Sequence, residues 1–542
     1  MHSLTQVKVM AVAGGKLRPS MNLALRHLPV LVALFVATDL SAQPASPTVT
    51  ASPAGRAVYD QHCAACHGAN GDGNGPASVW LYPKPRNFSA GQFKIKSTPG
   101  QALPTDEDLF QSVTRGLAGS SMPSFSYLTE PERRDVVQYV KYLTARTDGS
   151  GNRVNVFEQA AANNQLAQPV VVPPEPAAGV QELTLGRDVF KKMQCALCHG
   201  ETGAGDGPQV PTLKDASGLP VRPRDFNTGL FRGGHTGQDL YLRINNGLPG
   251  TPMIPYGEDV LKPSERWALV HYIQSLRRTD VSVNDLLAPE DNTIRVRKVA
   301  KLPTDPMAAS WESVDPARVP LNPLWPEPNQ VYAVAVSAMT DGKQLAVLLQ
   351  WRDELPHNTA IRVQDFQDAA AIQFSMTEGY GFLGMGDVQH PVNLWQWKAG
   401  WQAEAEQGHP PDMDSVYQSM HVDRWTFTNY NTAASSGNVT SQPHKSPIED
   451  ANARGFGSFT SQPMAQQNVG GKGIWHDGFW SVVFIRDLKS KDKEDVQLAK
   501  VRSVPIAFAI WNGEQGDRNG RKMISNWFQL VFDDAKARTA QR

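Results

Sequence analysis

All four cysteines of this 542-residue chain lie in two pentapeptides, Cys63-Ala64-Ala65-Cys66-His67 and Cys195-Ala196-Leu197-Cys198-His199. No thiol is left for a structural disulfide, so each region has to organise around what its pentapeptide binds. Cys-x-x-Cys followed by His is the attachment signature of a c-type haem: the two thiols add to the vinyl groups and the histidine sits under the iron. Zinc sites and redox dithiols share the Cys-x-x-Cys spacing. Two copies, both ending in His and both following an export-type segment, favour haem. The expectation is two covalent haems c, attached through Cys63, Cys66, Cys195 and Cys198, with His67 and His199 as proximal iron ligands.

The export reading rests on Arg26 and His27, which precede an apolar run from Leu28 to Leu40, with Ser41-Ala42-Gln43 as a small-residue cleavage site. That run of 13 residues is shorter than the roughly 20 needed to span a bilayer. Residues 1–42 are therefore expected to be a signal peptide, and the mature protein to be periplasmic, with no membrane span after cleavage. An uncleaved anchor is the alternative, and Met21 is a second possible start. A formal net charge of −1 with 19% charged residues gives no reason to expect a nucleic-acid partner. The length suggests three or four domains, and 40 prolines with 44 glycines argue against a helical array.

In chain order, residues 43–54 read as a tether and 55–147 as a small helical domain. Thr105 to Asp108 and Thr129 to Glu132 open helices with capping patterns, and Val136, Val137, Val140 and Leu143 recur at helical spacing. Residues 148–180, with Pro173-Pro174-Glu175-Pro176, read as a semi-extended linker that would let a domain swing. Residues 181–278 then repeat the first domain. Gly186-Arg187-Asp188-Val189-Phe190 echoes Gly55-Arg56-Ala57-Val58-Tyr59, and Pro223-Arg224-Asp225-Phe226 echoes Pro85-Arg86-Asn87-Phe88. Thr236 to Met253 falls on Thr105 to Met122 without a gap. Met122 and Met253 thus lie at nearly equal distances after their histidines, in proline-flanked loops, and are the candidate sixth ligands; a thioether there favours ferrous iron. Ordinary packing methionines are the alternative. Lys84, Arg86 and Arg224 are candidate propionate partners, with solvated surface charge as the competing role. His62, His235 and His271 are rival ligands, each unmatched in the other repeat. The arrangement resembles class I cytochrome c domains across both repeats, which implies two small all-α folds, each closed by a final helix.

The region 279–542 changes style. Val331 to Val336 and Leu345 to Leu349 flank Asp341-Gly342, a hairpin signal. Further strands are expected at 370–375, 392–397, 480–486, 506–511 and 527–532, together an all-β sandwich. Residues 429–473, rich in Ser, Asn, Gln and Gly, read as a long surface excursion.

Three stretches here are similar to the haem b-binding gamma subunits of the ethylbenzene dehydrogenase family. They are Asp368-Ala369-Ala370-Ala371-Ile372-Gln373-Phe374; Gly384-Met385-Gly386 with Pro391 to Lys398; and Pro505 to Gly513 running into Asn519-Gly520-Arg521-Lys522 and Trp527. The resemblance implies one non-covalent haem b held between Met385 and Lys522, with His390 or His476 as the rival to the lysine. It also implies a non-catalytic electron-transfer subunit. Molybdopterin and iron–sulfur subunits would be its partners on one side and a soluble periplasmic carrier on the other. Two other functions stay open: catalysis at a haem with a vacant axial position, and a dihaem cytochrome c whose β-sandwich is a haem-free binding module.

Overall fold

The computed structural model describes residues 49–278, 287, 289, 291–327, 330–408 and 444–532. The expected signal peptide, residues 43–48 of the tether and residues 429–443 of the expected excursion lie outside the described residues. Helix α1 (Pro53–His62) starts where the Ser52 side chain accepts from the Gly55 amide, and it delivers Cys63 into the short helix α2 (Ala64–His67). Helices α3 (Asp106–Arg115) and α4 (Glu130–Tyr142) open on the capping boxes Thr105/Asp108 and Thr129/Glu132, which satisfy amides that a helix start leaves unpaired. Val136, Val137, Tyr139 and Val140 of α4 pack with Tyr59 of α1 and with Phe88 and Phe110. The crossing is close: a Cβ on Gly55 would lie 2.2 Å from the Asp135 carbonyl oxygen.

The segment expected to be a free linker is only partly one. A two-stranded hairpin, β1 (Arg146–Thr147) with β2 (Arg153–Val154), leads into helix α5 (Val156–Ala162). The Asn155 side chain caps α5, and Phe157 anchors it in the first domain's core, 6.0 Å from the Phe93 ring. Composition pointed to a linker because Asn, Gln and Ala dominate; one cap and one aromatic suffice to dock the helix.

Helices α6 (Val180–Lys192), α7 (Ala196–His199), α8 (Gly237–Asn246) and α9 (Pro263–Ser275) rebuild the same domain. Thr236/Asp239 repeats the capping box, and Gly186 repeats the close approach, with a Cβ there 2.0 Å from the Ala268 carbonyl oxygen. The two repeats are bonded together. The Arg243 guanidinium donates to the carbonyls of Lys94 (3.3 Å) and Lys96 (2.9 Å), and Asn246 Nδ2 to Lys96 (3.2 Å). The swinging domain expected from the linker is therefore replaced by a fixed pair.

The C-terminal domain consists of strands β3 (Thr293–Lys298), β4 (Ala317–Pro323), β5 (Ala333–Thr340), β6 (Gln344–Arg352), β7 (Ala369–Ser375) and β8 (Val392–Lys398), helix α10 (Ala399–Gln407), and strands β9 (Ile448–Ala453), β10 (Thr460–Ser461), β11 (Gly470–His476), β12 (Phe479–Asp487), β13 (Ser503–Trp511), β14 (Met523–Ser525) and β15 (Phe528–Phe532). Among the described residues these strands form one sheet in the order β10-β9-β8-β7-β13-β14-β4-β5-β6-β12-β11, with β15 and β3 bridging β13 to β5. The sheet folds over itself into a sandwich: Trp397 of β8 lies 6.1 Å from Trp351 of β6 and 4.7 Å from Trp480 of β12. Residues 448–453 and 470–476 are strands, not a surface excursion. Composition misled here because the stretch is rich in Ser, Asn, Gln and Gly, and polar side chains in such a run usually mark loops. In β9 they are instead buried and paired, Glu449 with Lys398 and Asp450 accepting from Asn393 Nδ2 at 2.7 Å.

Candidate haem sites

Both Cys-x-x-Cys-His turns are set by the same local construction. His67 Nδ1 lies 3.0 Å from the Arg86 carbonyl oxygen, and His199 Nδ1 lies 3.4 Å from that of Arg224. Each Nδ1–H donates to its carbonyl, which leaves Nε2 with its lone pair free for a metal and fixes the ring plane. The imidazoles stack on Phe88 (4.7 Å, 18°) and Phe226 (4.5 Å, 22°). Burial holds both histidines below their usual pKa, so they stay neutral. Burial also pushes the Cys63 and Cys66 thiols up to about 12 and Cys195 up to about 11. Thiols like these are poor thiolates, which disfavours a redox dithiol.

The two methionine turns are built alike. The Leu117 amide donates to the Met122 carbonyl at 3.0 Å, and the Leu248 amide to that of Met253 at 3.0 Å. In the second repeat Cys195, His199 and Met253 line one cleft, whose walls include Phe190, Ile244 and Leu269. An imidazole and a thioether lining one apolar cleft, with the Cys195 thiol among its walls, fit the donor set of a c-type haem. Lys84 and Arg224, two of the candidate propionate partners, both donate to backbone carbonyls. Lys84 Nζ donates to the Ser78 carbonyl at 2.7 Å, and the Arg224 guanidinium to the carbonyls of Leu230 and of Gly119, the latter at 3.3 Å. The rival histidines are otherwise engaged: His271 Nε2 lies 3.2 Å from Glu175, and His62 is buried against the Tyr127 ring.

In the β domain, Met385 and Lys522 flank a face of small side chains. Ala371 of β7 pairs with Ala509 of β13, Ala369 with Trp511, and Gln373 with Ala507. Leu394 of β8 pairs with Ala451 of β9 on the same face. The Gln373 side chain donates to the Leu383 carbonyl at 3.0 Å and so holds the Met385 loop over one end. Met385 itself has φ 82°, a left-handed conformation that costs a methionine about 1–3 kcal/mol and is found mainly where function requires it. At the other end Lys522 Nζ lies 4.7 Å from the centre of the Trp511 ring, and burial lowers its pKa to about 8. That brings the neutral amine, the only form that can ligate, within reach. Of the rivals, His476 is exposed beside Asp477, and His390 bonds Asp387 at 2.9 Å.

The first repeat covers this face. Tyr127 packs in the cluster of Met385, Leu383 and Trp527, while Cys66, Ala77 and Leu81 pack with Leu324, Phe456 and Ile524. Gln61 Nε2 donates to the Tyr380 carbonyl at 2.7 Å and the Tyr82 amide to the Leu324 carbonyl at 3.1 Å. The sequence reading missed the histidine-stacking phenylalanines and the alanine face. Both left a signal: the repeated Pro-Arg-x-Phe, and alanines at alternate positions of three strands.

Two helical domains with cytochrome c donor sets, joined to a sandwich, define a haem-containing electron-transfer protein. Residues 52–144 and 183–277 match the cytochrome c family, and residues 308–523 match the ethylbenzene dehydrogenase family. The chain is thus two cytochrome c domains fused to an ethylbenzene dehydrogenase gamma-type domain. Three curated relatives are similar to it. A Haloferax mediterranei protein named as a respiratory nitrate reductase haem subunit is 26% identical over 42% of this chain and 68% of its own length. Chlorate reductase subunit gamma of Ideonella dechloratans is 26% identical, covering 42% and 79%. Dimethylsulfide dehydrogenase subunit gamma of Rhodovulum sulfidophilum is 28% identical, covering 46% and 85%. No helix among the described residues is long and apolar enough to cross a membrane.

Proposed function

We propose that the chain is an exported, non-catalytic subunit carrying two haems c and one haem b. In this reading it relays electrons between the molybdopterin and iron–sulfur subunits of an oxidoreductase and a soluble periplasmic carrier. The bound haems supply the one-electron chemistry; the protein sets their ligands, spacing and access to solvent. His67 and Met122 would hold the first haem c, His199 and Met253 the second, and Met385 and Lys522 the haem b. Cys63, Cys66, Cys195 and Cys198 would carry the thioether bonds. The observation that carries this reading is the packing of Cys66, Ala77 and Leu81 directly against Leu324, Phe456 and Ile524 at the edge of the alanine face. That contact supports an order from the β domain through the first repeat to the second. The relatives support the partner class, since two of the three are named as gamma subunits of a reductase or a dehydrogenase.

Affinity purification of the tagged chain from its own cells tests the partner claim. Co-purification of a subunit that contains molybdenum and one that contains iron–sulfur clusters is expected. A fully haem-loaded chain that purifies alone under mild conditions would contradict it.

A further inference from the structure

The two methionine turns superpose in sequence at a constant offset, yet their backbone groups are satisfied differently. In the second repeat the Gly250 carbonyl accepts from the Ala216 amide at 3.1 Å, within its own domain. Ala216 belongs to a short excursion, Asp215 to Leu219, closed by the Lys214–Pro220 bridge. The first repeat is six residues shorter between its histidine and its Pro-Arg-x-Phe segment, since 86 − 67 is 19 and 224 − 199 is 25. It has no such excursion, and Gly119, the equivalent of Gly250, has to find a donor elsewhere. That donor is Arg224 of the second repeat, which reaches Gly119 at 3.3 Å and Ala118 at 3.5 Å. On the other side of the same turn, the Ser124 amide donates to Asn526 Oδ1 of the β domain at 3.1 Å. The equivalent position in the second repeat is Pro255, which has no amide to satisfy.

We propose that Arg224 is a positioning residue for the first haem centre, holding the Met122 turn in trans, with Asn526 as the second arm of the clamp. This rests on the reading of Met122 as an iron ligand. Arg224 also has a backbone role, since its carbonyl orients His199. One residue therefore touches the proximal side of one centre with its carbonyl and the distal turn of the other with its side chain. Partners that orient a metal ligand from outside change affinity by about 10–100-fold when removed, and the backbone role survives any side-chain change.

The test uses the full holoprotein and follows the red methionine-to-iron charge-transfer band of ferric haem c, together with the potentials of the individual haems. Met122→Ala should remove about half of the band, the Met253 centre supplying the rest; an intact band would overturn the ligand reading itself. Given that halving, Arg224→Gln should weaken Met122 ligation by about 10–100-fold, on the scale of outer-shell partners. It should reduce the same half of the band and shift one haem potential, with Arg224→Lys restoring part of it. Asn526→Ala should affect the same haem. A full band with unchanged potentials in Arg224→Gln would overturn the clamp, and so would loss of both halves of the band.

Discussion

At the scale of single residues, the histidines and methionines depend on neighbours that fix them. His199 is held by a backbone carbonyl and an aromatic stack, so its orientation survives loss of the methionine opposite. Met253→Ala should then leave the haem attached through Cys195 and Cys198 but open its sixth position, and the reduced variant should bind carbon monoxide where the parent does not. Absence of binding would show that Met253 is not the ligand. Lys522 is the β-domain counterpart. Burial lowers its pKa to about 8 beside the Trp511 ring, which is compatible with the proposed role as a neutral-amine ligand. Lys522→Ala should change the spectrum of the non-covalent haem while leaving the haem c bands as they are; an unchanged spectrum would return the assignment to His390.

Whole elements show which signals the sequence carried. Helices α1, α3, α4, α8 and α9 were legible because caps and apolar spacing are local properties. The strands around the Asp341-Gly342 hairpin were legible for the same reason. Strand β9 was not, because its Glu449 is ion-paired with Lys398 and its Asp450 accepts from Asn393, both distant in sequence. Helix α5 was hidden in the same way, by a single aromatic that docks onto another element's core. The glycine pair Gly55 and Gly186 was visible as a repeat, but its meaning needed the crossing distance. Gly186→Ala would push a methyl group into the Ala268 carbonyl and separate α6 from α9. A loss of about 1–3 kcal/mol is expected, measurable by denaturant unfolding of the holoprotein. In the sandwich, burial beside Asp368 pushes the Asp353 carboxyl up to about 7. Below the ordinary carboxylate range both folded and unfolded chains are protonated there and no stability is lost. As pH rises, the unfolded chain ionises first, so stability falls until the folded pKa is passed. Asp353→Asn should therefore raise Tm more at about pH 8 than at about pH 4, and equal gains at both would refute the effect.

For the molecule as a whole, the described residues from 49 onward form one assembly in which the first repeat is the hinge of the design. It shares its face with the alanine platform through Tyr127, Cys66 and Leu81, and it shares its backbone carbonyls with the second repeat through Arg243 and Arg224. The sequence suggested three domains on a string with a mobile connector. The packing gives a fixed series, which suits short and constant distances between redox centres. The sequence shows that the first repeat is six residues shorter than the second ahead of its Pro-Arg-x-Phe segment; what it could not convey is that Arg224 of the second repeat reaches the Gly119 and Ala118 carbonyls of the Met122 turn. The central claim, three haems of two kinds in one chain, is tested most directly by haem stoichiometry. Pyridine haemochrome spectra should be taken before and after acid–acetone extraction of the purified holoprotein. The account predicts two haems c retained on the polypeptide for each haem b released into the extract; two retained and none released would contradict it.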